Sequence, residues 1–111
     1  MVNSSSAQLD AVFHALSDAT RRSILRDITG TSKTVGEIAR PYRMSLAAVS
    51  KHLNVLERAR LIERERRGSH QVVHLHARTL KGAARWLQFY EAFWGDRLGK
   101  LKILLEGDQD A

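Results

Sequence analysis

A chain of 111 residues is one domain by length; its 43% hydrophobic share suffices for a compact core, and its lack of cysteine excludes disulfides, thiolate metal sites and thiol redox sensing. No apolar run approaches the ~20 residues a membrane helix needs and the N-terminus lacks a signal-peptide apolar core, so a soluble, cytoplasmic protein without a membrane partner is expected. The net charge of +6 favours a polyanion.

Residues 1–8 are polar and Ser-rich and read as a disordered tail. One domain is expected over residues 9–105, followed by a frayed acidic end over 106–111. Leu9, Val12, Phe13 and Leu16 share one face of a short amphipathic helix, with His14 structural. Ser17-Asp18 supplies a cap for a second helix from Ala19 to about Thr29, closed by Gly30, with Ile24, Leu25 and Ile28 inward. Thr34 and Glu37 have the capping-box spacing, so a third helix covers Val35 to Arg40. It ends where Pro41 removes an amide and crowds the preceding turn.

After the turn Pro41-Tyr-Arg-Met44, Ser45 caps a fourth helix reaching about Glu57. Val49, Leu53 and Leu56 fall on one face; Ala47, Ser50, Lys51 and Asn54 fall on the other. That second face is small and polar near the helix N-terminus, which suits close approach to base edges. Any amphipathic surface helix shows a polar face. The hairpin that follows is what makes this one informative. It runs from Leu61 to His76, turns at Gly68-Ser69, is anchored by Leu61, Ile62, Val73 and Leu75, and carries Arg66, Arg67 and His70 at its tip. Residues 40–78 hold nine Lys/Arg against three Glu, while 1–39 balance at four against four and 79–111 at five against five. The whole net charge sits on this helix-and-hairpin module, the pattern of a phosphate-backbone binder. The fold class expected is mainly α with a small β-hairpin: a winged helix-turn-helix of about five helices and a two-stranded antiparallel wing.

His70, His74 and His76 share strand parity, and imidazoles at i and i+2 are able to hold zinc or copper. No carboxylate is evident beside them, and an exposed strand face is a routine home for histidine, so no metal and no cofactor is assigned. His52 reads as either a half-buried hydrogen-bonding residue or a phosphate contact. With no cysteine nucleophile, no Gly-rich phosphate loop and no convincing acid pair or Ser/His/Asp arrangement, no enzyme is expected.

Thr79 reads as the cap of a last helix over Leu80 to about Leu105. Its apolar stripe runs through Leu80, Ala83, Ala84, Leu87, Tyr90, Trp94, Leu98, Leu101 and Leu105, widened by Trp86, Phe89 and Phe93. So broad a stripe would leave an exposed patch unless a second copy covers it. With Leu9, Val12 and Phe13 of the first helix, the stripe through Leu87, Tyr90, Trp94, Leu98 and Leu101 is the expected dimer interface. Phe13, Trp86, Phe89 and Phe93 leave a second use open, a pocket for an apolar effector.

Ser17-Asp-Ala-Thr-Arg-Arg-Ser-Ile-Leu25 resembles the second-helix motif of ArsR-type regulators, with Ala19 where proline is common. Ser45-Leu-Ala-Ala-Val-Ser-Lys-His-Leu-Asn-Val-Leu56 resembles their recognition helix, and Ala59-Arg-Leu-Ile62 and Arg67-Gly-Ser-His-Gln71 extend the likeness over about residues 9–105. The resemblance implies a homodimeric transcriptional regulator, usually a repressor, on a palindromic operator near its own gene. By position it implies base contacts from Leu46, Ala47, Ser50 and Lys51. Around them, Arg43, His52, Asn54, Arg64, Arg66, Arg67 and His70 complete the expected DNA-binding set. The family's cysteine metal site in the third helix and its Asp/His site in the last helix have no counterparts here. An effector ligand or a partner protein is left open, as are two rival uses of the fold: a protein-interaction module and non-specific architectural DNA binding.

Overall fold

Side chains satisfy the orphan amides and carbonyls of terminal turns at the end of the first helix and the starts of the next three. The computed structural model describes residues 4–110, except the side chains of residues 4, 5, 94, 96, 98 and 107–110. Its order is α1 (Ser4–Leu16), α2 (Ala19–Asp27), β1 (Lys33–Thr34), α3 (Val35–Ala39), α4 (Leu46–Arg58), β2 (Ile62–Arg67), β3 (His70–Leu75) and α5 (Ala77–Asp110). The chain divides into two compact units, one ending at Leu80 and one starting at Lys81.

In the first unit, Asp18 caps α2 by accepting from the Arg21 amide at 3.0 Å. The same turn closes α1 from its other side. Arg21 donates to the carbonyls of Ala15 (2.8 Å) and His14 (3.1 Å), and Arg22 donates to that of Leu16 (2.7 Å). His14 thus serves through its carbonyl. At α3 both halves of the capping box form: the Glu37 amide donates to Thr34 Oγ1 at 3.1 Å, and the Thr34 amide donates to Glu37 Oε1 at 3.0 Å. Ser45 caps α4, accepting from the Ala48 amide at 3.1 Å.

The far end of α4 closes without glycine. Arg60 takes φ +60°, its amide donates to the Glu57 carbonyl, and the Leu61 amide reaches back to that of Leu56. This is the paired closure of a Schellman motif, with an arginine in the left-handed position that favours glycine. It turns the chain into β2. At the hairpin tip the left-handed residue is Gly68, φ +61°, as a two-residue primed turn asks.

The sheet has three strands in the order β1-β3-β2, all antiparallel. The third strand was not expected: Lys33 and Thr34 pair with Val73 and Val72. One sheet face carries Ile62 and Val73, both buried, and packs toward α4; Val49, Leu53 and Leu56 of α4 are fully buried beneath it and the other helices. Ile24, Ile28, Ile38 and Val12 complete this core. Burial of each such side chain is worth about 1.5–3 kcal/mol.

Three boundaries differ from expectation. Helix α1 starts at Ser4 instead of Leu9, tied down by the Gln8 side chain donating to the Ala59 carbonyl; residues 1–3 of the expected tail lie outside the described residues. Helix α5 starts at Ala77, so Thr79 sits in its first turn, its amide donating to the His76 carbonyl. At the other end α5 continues to Asp110 through the stretch read as frayed, with Lys102 and Glu106 paired one turn apart at 3.9 Å.

In the second unit, α5 shows apolar groups to solvent: Leu87 is 50% exposed, Phe89 68%, Leu101 51% and Leu105 56%. Trp86 and Tyr90 stack with ring centroids 4.4 Å apart, and Phe89 meets Tyr90 edge-on at 5.5 Å.

The Arg21 amide holds Asp18 below the usual carboxylate range, with the Arg21 and His52 charges adding to the effect. A depressed carboxyl stabilises the fold above its ordinary pKa and loses that contribution as pH falls through the lowered value. Asp18→Ala is therefore expected to cost about 1 kcal/mol at pH 7. In urea denaturation at a series of pH values, the gap from wild type should close below about pH 4. Asp18→Asn, which keeps the cap without the charge, should show little of that pH dependence. A gap constant down to pH 2 would rule out the charged cap.

Candidate nucleic-acid interface

The leading end of α4 carries four of the residues singled out in sequence: Ala47 and Lys51 lie opposite the buried seam, Ser50 lies beside it, and Leu46, three residues before Val49, continues the seam's own line past the packed core. Leu46 is 61% exposed, Ala47 and Lys51 are exposed, and Ser50 is half-buried beside them. They lie in the first two turns, immediately after the Ser45 cap, and Arg43 is exposed in the preceding turn. Tyr42 fixes that turn by donating from its hydroxyl to Ser23 Oγ of α2 at 2.8 Å. The leading end of α4 is thus both bare and firmly held.

His52 stands apart from this group. Its Nδ1 accepts from Arg21 Nη1 at 3.3 Å and lies 4.0 Å from Asp18 Oδ1, with the side chain 21% exposed. Of the two roles open to it, the structure displays the half-buried hydrogen-bonding one. Arg21 had no functional assignment. Its spacing from Asp18 marked a helix start, but nothing local marked a partner 31 residues further on.

The wing arginines have three different environments. Strand parity puts Arg64 and Arg66 on the face of β2 that carries buried Ile62, and Glu63, Glu65 and Arg67 on the other. Arg64 folds down onto α4: its Nη2 donates to Asn54 Oδ1, and its Nε lies 3.3 Å from Glu57 Oε1, attracted by charge but out of line for a hydrogen bond. Expected beside the base-reading residues and the wing tip, Asn54 and Arg64 are instead engaged with each other. Arg66 is exposed at the tip and touches the Gly68 carbonyl at 3.4 Å. Arg67 is 61% exposed and donates to Glu65 Oε2 at 3.2 Å; His70, opposite Arg67 in the register, is exposed as well.

Glu65 also meets His74 Nε2 at 2.9 Å, while Ser32 Oγ lies 2.5 Å from His74 Nδ1. The contacts from Arg67 and then His74 hold the Glu65 carboxyl below its usual range. Glu63 lies 3.9 Å from His76 Nε2. The expectation that no carboxylate stands beside these histidines is corrected: each of the two has one. Counting back from the turn through Arg67↔His70 and Glu63↔His74 places those glutamates on the histidine face. Among the described residues, no three or more His, Asp or Glu gather as a metal would need. An open cleft of about 530 Å³ lies at the C-terminal end of α4, lined by Glu57, Arg60, Ile62, Glu63, Arg64 and His76. Two acidic groups offset its two arginines, so it offers a polyanion no excess charge.

The residues named for a dimer interface divide. Val12 is 1% exposed in the chain's own core and has no surface to offer a second copy; that assignment is corrected. Leu9 and Phe13 are half-buried, Leu87, Tyr90 and Leu101 are exposed, and the side chains of Trp94 and Leu98 lie outside the described residues. Among the described residues, no helix is long and apolar enough to cross a membrane.

Residues 16–65, from the end of α1 into β2, match the family described as helix-turn-helix domain. The transcriptional repressor SdpR of Bacillus subtilis is 35% identical over 79 residues, 71% of this chain and 88% of its own. The solved ArsR-like transcriptional regulator from Rhodococcus sp. RHA1 superposes with a TM-score of 0.72 at 31% identity, covering 92% of this chain and 96% of that one. At 24% identity the homodimeric winged helix-turn-helix DNA-binding domain of Mb0332 from Mycobacterium bovis shares the fold, with a TM-score of 0.62 over 80% of this chain and 84% of that domain. With its capped α3–turn–α4 pair, its wing and relatives at this level over nearly their whole length, the chain belongs to the ArsR-type winged helix-turn-helix transcriptional regulators.

Proposed function

We propose that this chain is a homodimeric repressor that binds a palindromic operator near its own gene, reading bases with the leading end of α4 and gripping phosphates with the wing. One observation carries the reading: Leu46, Ala47 and Lys51 exposed and Ser50 half-buried at the leading end of a helix held by fully buried Val49, Leu53 and Leu56, with all the net positive charge on the module around it. Lys51 is suited to a guanine O6/N7 edge, Ser50 to either base type, and the apolar pair Leu46 and Ala47 to a thymine methyl. Arg43, Arg66, Arg67 and His70 orient the helix by contacting phosphates. Repression follows where the occupied operator overlaps promoter elements; the likeness to the transcriptional repressor SdpR supports that direction.

The apolar stripe of α5 supports the dimer. Leu87, Leu101 and Leu105 recur at helical spacing and are half-exposed or more in the single chain. A second copy of α5 would bury them, and the homodimeric state of the Mb0332 domain supports the same assembly. Two-fold symmetry then sets two copies of α4 about one turn of DNA apart, ~34 Å, which is what a palindrome presents.

Fluorescence anisotropy on DNA from upstream of the gene against a scrambled duplex, across a salt series, tests the DNA reading. The upstream fragment should bind at least about 10³-fold more tightly. Lys51→Ala should lower that specific affinity by about 1–3 kcal/mol while leaving scrambled binding nearly unchanged. Equal, steeply salt-dependent binding to both duplexes would favour an architectural binder. For assembly, sedimentation should show a dimer at micromolar concentration, and Leu101→Asp should shift it toward monomer with operator affinity falling in parallel. A dimer indifferent to that charge would remove the α5 stripe from the account.

A further inference from the structure

We propose that Arg64, which lies on the basic wing of the DNA-binding module, is a positioning residue: it locks the wing to α4 through Asn54 and Glu57 and sets the angle at which the two meet DNA. The inference rests on the DNA-binding reading above and deepens it.

Arg64 stands opposite Val73, a fully buried residue in the middle of the sheet's packed face. Its side chain is only 16% exposed although its strand is otherwise an edge of charged groups. Asn54 and Glu57 sit three apart on α4, so they lie on one face of the helix, and the guanidinium reaches both. A planar fork with several fixed donors suits this two-point grip; a lysine ammonium reaches only one point at a time. A phosphate would have to draw Arg64 away from both partners and leave Glu57 without its counter-charge. Arg66, two residues on and at the exposed tip, touches nothing but a neighbouring carbonyl among its described contacts. Arginines of one strand face therefore divide the work. Arg66 is free to meet phosphate; Arg64 fixes the direction in which Arg66 is presented.

The test compares wild type with Arg64→Lys, Asn54→Ala and the double variant, by operator anisotropy across a salt series and by amide hydrogen exchange of the DNA-free protein. Positioning predicts that Arg64→Lys and Asn54→Ala each weaken operator binding by about 10-fold, as loss of a charge-assisted hydrogen bond would. The double variant should be no weaker than Arg64→Lys alone. The salt slope should stay at the wild-type value, and amides of residues 62–67 and 70–75 should exchange faster in both single variants. A direct phosphate contact predicts otherwise: Arg64→Lys binds almost as wild type, and Asn54→Ala leaves wing exchange unchanged. Either result overturns the proposal. Because Asn54 lies on the exposed side of α4, its truncation leaves the core intact and keeps the test sound if Arg64→Lys folds poorly. Should wild type itself show no operator preference, the DNA reading has failed and positioning for DNA falls with it. The exchange data would still show separately whether the wing is locked.

Discussion

The grip on α4 is the constraint from which the rest follows. Val49, Leu53 and Leu56 have no exposure at all, so this helix has one fully committed side, and its rotation about its own axis is fixed. Turning it by one residue, 100°, would drag Ser50, Asn54 and Glu57, or His52, into the core, at a cost comparable with the stability of a domain this size. The polar clamp around Asp18 acts alongside that seam. The Arg21 guanidinium reaches the carbonyls that end α1 and His52 on α4, while its backbone amide donates to the Asp18 cap that starts α2, so one residue registers three helices. The exposed group at the leading end of α4 is bare because everything behind it is occupied.

Legibility in the sequence followed the range of the interactions. Asp18, Thr34 with Glu37, and Ser45 act within three residues of themselves, and each was readable because a cap is a local device. The hairpin, its turn at Gly68-Ser69 and the buried stripe of α4 were readable for the same reason, as periodicity and turn chemistry. What was not legible needed a partner far along the chain. Strand β1 has two residues, too few to alternate, and exists only because β3 offers it an edge some forty residues later. The start of α1 at Ser4 depends on Gln8 finding Ala59. Of the interface, the exposed residues at the leading end of α4 and the tip arginines were legible. The pairing of Arg64 with Asn54 was not, because a positive charge on a basic wing looks the same in sequence whether it faces phosphate or its own fold.

Two sides of the wing are consolidated in different ways. The face toward α4 is held by buried Ile62 and Val73 and by Arg64, so packing fixes it. The other face is held by a polar relay in which Ser32, His74, Glu65 and Arg67 follow one another from the loop before β1 to the tip of β2. With Nδ1 of His74 accepting from the Ser32 hydroxyl and Nε2 donating to Glu65, each member finds a partner of the right sense. The cation at the tip, Arg67, thereby holds less mobility than a bare surface arginine and less net field than its formal charge, because Glu65 screens it.

Strand β2 also has a free side. Among the described residues it pairs only with β3, so its outer row of amides and carbonyls is open to any strand that approaches. Such an edge templates sheet growth between molecules. Here the open strand reads Glu63, Arg64, Glu65, Arg66, Arg67, five charged side chains in succession with signs that alternate until the tip. A second copy approaching that edge would have to desolvate the row of charges. The charges proposed to meet a polyanion thus also guard the open edge of β2 against sheet growth between molecules.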